Sequence, residues 1–240
     1  MVKPERRTRA DLLAAAAIAV VVIVVAAVLW WTSDARATIS RPAASPVKTL
    51  APAKTIPATF RELWTAPSPK TTEPVVAGGS VVTGNGRDVE GRDPTSGAVL
   101  WSYARDLDLC GVTWVYHYAV VVYPDSRGCG QVSTIDGQTG MRGPSRTAYA
   151  DPEVTLSSDG TTVLSAGDSR LEQWRSDMVR MISYGYLDAR IKPGSPGPVL
   201  CGLQSAAASS SAVSVLEACP KAPNVRVTLL KAAKEEDTPD

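Results

Sequence analysis

The sequence predicts an all-β chain: a partial or truncated β-propeller of about three to four blades, preceded by one transmembrane helix and a Pro-rich linker. Three observations carry this. Short apolar runs separated by Gly-rich turns recur at roughly forty-residue spacing, the repeat length of propeller blades. Leu12–Trp31 is an unbroken apolar run without charge or proline, long enough at ~1.5 Å per residue to cross a ~30 Å hydrocarbon core. Between the two, residues 32–59 carry Pro42, Pro46, Pro52 and Pro57 among Ala, Ser, Thr and Lys, the composition of an extended, semi-rigid tether.

Residues 1–11 form a short charged tail. Lys3, Arg6, Arg7 and Arg9 precede the apolar run, and the positive-inside rule then puts the N-terminus in the cytoplasm. Trp30 and Trp31 close the run, where indoles favour the headgroup region. A rival reading is a signal peptide cleaved after Ala35-Arg36-Ala37, but its apolar region would be ~7–15 residues, shorter than this one. Both readings place everything after Trp31 outside the cytoplasm.

The repeats occupy 60–230. Phe60–Thr65 is a short apolar–polar segment, placed to supply the strand that completes the last blade of a ring. Blade 1 opens at Pro74. Val75, Val76, Val81 and Val82 are β-branched strand formers, Gly78-Gly79 and Asn85-Gly86 are turn signals, and Thr95-Ser96-Gly97 turns the chain into a run ending at Trp101 and Tyr103. Blade 2 repeats the pattern with Ala119–Tyr123, Val132–Ile135 and Asp136-Gly-Gln-Thr-Gly140. Blade 3 follows as Val154–Leu156, Ser158-Asp159-Gly160, Val163–Ser165, Leu171–Trp174 and Val179–Tyr184. The fourth repeat offers two strands, Ala212–Glu217 and Val225–Leu230, before the charged tail 231–240. An incomplete blade leaves an unpaired edge, with Val225, Val227 and Leu229 on its most exposed strand.

The net charge of +1 gives no field for nucleic acid or an acidic partner. The four cysteines, Cys110, Cys129, Cys201 and Cys219, have no C-x-x-C spacing, and one histidine completes no zinc set. In an oxidising compartment an even count reads as two bridges. Of the three pairings that four cysteines allow, locality selects Cys110–Cys129 and Cys201–Cys219, each closing a loop within one repeat. His117, alone among aromatics, could be drawn into a triad with Asp136 and Ser133 or Ser165, but no G-x-S-x-G elbow supports one. Asp93, Asp136 and Asp159 recur near turns, where Asp accepts hydrogen bonds from turn amides; no clustered calcium loop accompanies them. Arg170, Arg175 and Arg180 around Trp174 read as a solvated blade edge. Tyr116, Tyr118, Tyr123, Tyr149, Tyr184 and Tyr186 are too many to bury in thin blades, and exposed Tyr is enriched at protein interfaces.

The first repeat, with Asp93, Gly97 and Trp101, and the second, with Asp136, Thr139 and Gly140, resemble the blade motif of pyrroloquinoline-quinone-type propellers. The whole chain, from its basic start through span and tether to QWRSDMVRMISYGY, resembles membrane-anchored propeller proteins of actinobacteria, a family without an assigned activity. The quinone enzymes of that superfamily stack their cofactor against a disulfide between adjacent cysteines, and no two cysteines are adjacent here. The resemblance therefore implies a non-enzymatic member, similar to the outer-membrane assembly lipoproteins that use propellers as docking platforms. The expected function is a non-catalytic scaffold or sensor in the cell envelope. It is held to the membrane through Leu12–Trp31 and contacts another envelope protein, without cofactor, metal or nucleic acid. The alternative is a quinone- or calcium-dependent oxidoreductase, or a small-ligand binder.

Overall fold

The computed structural model describes residues 8–51, 53–186, 201–220 and 224–232. Lys3, Arg6 and Arg7 of the basic start, Pro52 and the acidic residues of the end lie outside them. Packing divides the chain into two units, Met1–Ile39 and Ser40–Asp240.

The first unit is helical. Thr8 starts α1 (Arg9–Trp31) with a reciprocal cap: its hydroxyl accepts the Asp11 N–H at 3.2 Å, and the Asp11 carboxylate accepts the Thr8 N–H at 2.8 Å. Two orphan amides of the first turn are thereby satisfied. The helix begins three residues before the apolar run and contains no buried side chain. It is the one helix among the described residues long and apolar enough to cross a membrane. Its last turn ends where Thr32 bonds the Val28 carbonyl through both N–H and hydroxyl, each at 2.9 Å. A single further turn, α2 (Asp34–Ala37), follows.

The second unit is a propeller-like series of four antiparallel sheets taken in chain order. Blade 1 holds β2 (Val75–Ala77), β3 (Ser80–Asn85), β4 (Asp88–Arg92) and β5 (Val99–Ala104), with a short β1 (Ile39–Arg41) added beside β5. Blade 2 holds β6 (Gly111–Val115), β7 (Tyr118–Asp125), β8 (Gly128–Asp136) and β9 (Arg142–Thr147). Blade 3 holds β10 (Thr155–Ser158), β11 (Thr162–Ala166), β12 (Arg170–Arg175) and β13 (Arg180–Gly185). Blade 4 shows three strands, β14 (Gly202–Ala208), β15 (Ala212–Ala218) and β16 (Arg226–Lys231). First strands meet from blade to blade: β2 contacts β6, β6 contacts β10, and β10 contacts β14.

Alternation within each strand splits every sheet into two faces, and the buried faces meet in three cores. Blades 1 and 2 enclose Val82, Val89, Trp101, Tyr103, Ala119 and Val121. Blades 2 and 3 enclose Val120, Val122, Val132, Val163 and Trp174. Blades 3 and 4 enclose Leu164, Leu171, Ile182, Leu203, Val213 and Val215. Trp174, whose flanking arginines read as a solvated blade edge, is thus a core residue between two blades.

Two further expectations are corrected. Phe60–Thr65 forms no strand and does not complete a blade. Trp64 instead lies on the blade 1 turn, where Gly97 leaves room for its ring, and its indole N–H donates to the Pro94 carbonyl at 3.0 Å. Part of the proline-rich segment is also docked rather than free. Ala43 and Val47 donate backbone N–H groups to the Thr139 and Gln138 carbonyls, both at 2.9 Å, and Gln138 bonds the Thr49 hydroxyl at 2.6 Å. Prolines along this stretch keep it extended, so it can lie along neighbouring turns at little entropic cost.

Candidate interaction surface

The blade-motif residues build turns. Asp93 accepts the Thr95 and Ser96 N–H groups at 2.9 and 2.8 Å as well as both hydroxyls, while its carbonyl takes the Gly97 N–H at 2.8 Å. The Thr95 hydroxyl and then these amides hold the Asp93 carboxyl at about 2. Asp136 repeats the arrangement with Gln138, Thr139 and Gly140. Gly97 and Gly140 both take positive φ, 72° and 71°, which a side chain would oppose. Asp159 does the same for Thr161 and Thr162. Each carboxylate is therefore engaged within its own turn. Trp101, the other motif residue, reaches into the neighbouring blade, donating its indole N–H to the Gly137 carbonyl at 3.0 Å.

His117 and Tyr116 form the tip of the β6–β7 hairpin. The imidazole Nε2 lies 3.5 Å from an Asp136 carboxylate oxygen and the ring tilts over Tyr118. Among the described residues, neither Ser133 nor Ser165 is hydrogen-bonded to it, so the triad drawn from sequence is not assembled. Tyr116 is exposed and takes φ 50°, a conformation rare outside glycine and asparagine.

The disulfides join Cys110 to Cys129 and Cys201 to Cys219. They act differently. Cys201 and Cys219 flank the paired residues Gly202 and Ala218, closing the open end of the β14–β15 hairpin. Cys110 precedes β6 while Cys129 lies in β8, and β7 separates those strands in the sheet. That bridge ties two strands that are not neighbours.

Blade 4 carries the surface. β16 is paired with β15 on one side, whereas its counterparts β4, β8 and β12 are flanked on both. Val225, Val227 and Leu229 are 57%, 72% and 75% exposed. Register places Val227 opposite Leu216 and Ser205, and Leu229 opposite Ser214 and Ala207, so these rows share the face turned away from blade 3. Val227 and Leu229 thus project from a sheet face, Val225 precedes the strand, and among the described residues no strand pairs with the other edge of β16.

That edge strand is pinned from its other face by Glu217, which sequence reading missed. The carboxylate is fully buried and accepts from the Tyr184 hydroxyl at 2.9 Å, Arg226 Nε at 2.8 Å and the Thr228 hydroxyl. Burial pushes the carboxyl up, but Thr228, Arg226 and Tyr184 outweigh it, and the group sits below the ordinary carboxylate range. A depressed folded value adds stability that is complete above the unfolded value near ~4.3 and disappears as pH falls through the folded one. Glu217→Gln should therefore lower thermal stability near neutral pH by about 1–3 kcal/mol. The gap from the parent protein should close below about pH 4, as read by denaturation at a series of pH values. A pH-independent gap would show that packing, not charge, is lost.

A second buried carboxylate, Glu172, joins blades 2 and 3. It accepts from Arg146 at 3.2 Å and from the Trp174 indole at 2.9 Å, with Arg170 and Arg180 also beside it. In sequence Arg170 and Arg180 read as part of a solvated blade edge, because strand alternation alone does not reveal which neighbour covers them.

No protein-family model matches the chain, and no curated protein matches its sequence. Among solved structures it is similar to BamB from Moraxella catarrhalis, with a TM-score of 0.43 and 14% identity, over 68% of this chain and 45% of that one. The chain spans less than half the length of that protein.

Proposed function

We propose that this protein is a non-catalytic, membrane-anchored scaffold of the cell envelope that docks another protein through blade 4. The observation that carries the reading is β16, which among the described residues is paired on one side, carries exposed Val227 and Leu229 just after exposed Val225, and lies in the one sheet with three described strands where the others have four or five. A partner supplying an extended segment would add the fourth strand, with backbone hydrogen bonds for affinity and alternate side chains for specificity. Two of the other outer edges are less suited. β9 contains Pro144 and is largely polar, and β1 already lies beside β5. The apolar α1 supports membrane anchoring, and two disulfides suit an extracytoplasmic compartment. The absence of turnover is supported by motif carboxylates engaged in their own turns and by Ser133 and Ser165, neither of which is hydrogen-bonded to His117 among the described residues.

Neighbouring prolines test the edge. N–H groups of successive strand residues point to opposite sides, so of Val227→Pro and Thr228→Pro one strikes the bond to β15 and the other the open side. The variant that keeps its fold should lose partner cross-linking in membranes while staying membrane-inserted. Normal cross-linking by that variant would sink the reading. So would oxidation of an alcohol or sugar by the purified chain given quinone and calcium.

A further inference from the structure

We infer that the face of blade 4 and the face of blade 1 that no other described blade covers pack on each other between two copies of this chain, the copies closing one ring of eight sheets. This goes beyond the edge-docking proposal, since it uses sheet faces rather than a strand edge.

Each core obeys one rule: the trailing face of a blade is covered by the leading face of the next. On the second strand of each blade, the leading residues are small or β-branched. Ala119 and Val121 face blade 1, Val163 faces blade 2, and Val213 and Val215 face blade 3. The corresponding residues of blade 1 are Val81 and Thr83, opposite in parity to Ser80 and Val82, which turn toward blade 2.

Register makes the likeness closer. In blade 3 the row Ser165–Glu172–Ser183 belongs to the leading face, where Glu172 is buried against Arg146 of the blade before. In blade 1 the row Thr83–Glu90–Ser102 has the same hydroxyl–glutamate–hydroxyl order. Beside it, Val76, Val81 and Arg92 form a second row, with Val76 43% exposed. Blade 1 thus begins with a face built like those that other blades bury against a predecessor.

Blade 4 presents the complement. Its trailing pair Leu216–Val227 stands on second and third strands, as the buried pair Val122–Val132 does in blade 2. Leu229 extends the patch. Two such faces on one chain, of the kinds that meet three times within it, are satisfied together by a second copy in a two-fold arrangement. Four sheets from each copy fall within the roughly four to eight blades of propellers. The two-fold axis then runs along the ring, so residues 42–49, docked on the turns of Gly78-Gly79 and Gln138–Gly140, emerge at the same end in both copies. Two anchors in one membrane require that.

The test uses the full chain in membranes. All four native cysteines are bonded, so introduced thiols report alone. Facing sheets lie about 10 Å apart, within reach of a short bis-maleimide. Chains carrying Val81→Cys mixed with chains carrying Leu216→Cys should give a covalent dimer, and neither alone should. The detergent-solubilised parent should have the mass of two chains. Val227→Glu, a change at an exposed side chain, should reduce that to one while the disulfides and β-sheet signal persist. Cross-linking by Leu216→Cys alone would mean blade 4 meets blade 4 and overturns the proposal. A single-chain parent, or assemblies larger than two, would also overturn it. Any of these results leaves the edge proposal standing, because the proline variants read capture of a different protein.

Discussion

Replacing Trp101 with alanine is expected to cost about 3–5 kcal/mol, the range for removing a buried Trp. The side chain is 1% exposed and joins the core between blades 1 and 2. Its ring lies directly over Gly91, where a Cβ would sit 2.0 Å from a ring atom, so the strand is shaped around it. Its indole N–H meets both the Gly137 carbonyl and the Ser80 hydroxyl, and the Ser80 hydroxyl in turn donates to Gly137 at 2.7 Å. Alanine leaves a cavity and takes a donor away from a buried carbonyl. Trp101→Phe should keep part of the packing and lose the donor, giving an intermediate effect. Equilibrium denaturation of the full chain in detergent measures both. A loss below about 1 kcal/mol for the alanine variant, on the scale of an ordinary surface change, would mean the two blades do not depend on each other through this core.

The second large effect belongs to the disulfides. Cys110→Ala with Cys129→Ala should lower stability by about 3 kcal/mol, from the closure entropy of a loop of this size. The Cys201–Cys219 pair should behave similarly, since the separations are 19 and 18 residues. The blades gain from this because each core is thin and rich in Val and Ala, with little area per residue to oppose chain entropy. Denaturation with and without reductant gives the measurement. A midpoint insensitive to reductant would show that neither bond constrains the unfolded chain.

Much of the fold was legible because blades are made of hairpins, and hairpins announce themselves locally. Gly78-Gly79, Asn85-Gly86 and Ser158-Asp159-Gly160 stand between strands that pair directly, since positive φ at a tight turn selects a few residue types. Strands without alternation were harder. β6 lies ahead of the apolar Ala119–Tyr123 run from which the second repeat was counted. β9, RGPSRT, is largely polar because it is an outer strand, and β14, GLQSAAA, is made of small residues that pack without a hydrophobic signature. Trp64 on the Gly97 turn, residues 42–49 on the blade 2 turn and the ring of donors around Glu217 all depend on contacts distant in sequence. No local pattern encodes them. The Asp93 and Asp136 motifs were visible as residues, and their use as turn anchors follows from spacing alone. Exposed Val227 and Leu229 were visible too, but which face they leave required the register.

With one exception, every paired strand in the four sheets is bonded to its immediate neighbour in the chain. Such a molecule need not wait for its C-terminus. As synthesis proceeds, each hairpin can close within the span of one repeat, which favours rapid, sequential acquisition of structure over a late concerted collapse. The exception reverses that order for the segment nearest the helix. Ile39–Arg41 is made early yet has no seat until β5 exists, and Ala43 and Val47 have none until Gln138 and Thr139 are in place. The part of the second unit synthesised first therefore settles out of order, a latch thrown only after blade 2 has formed.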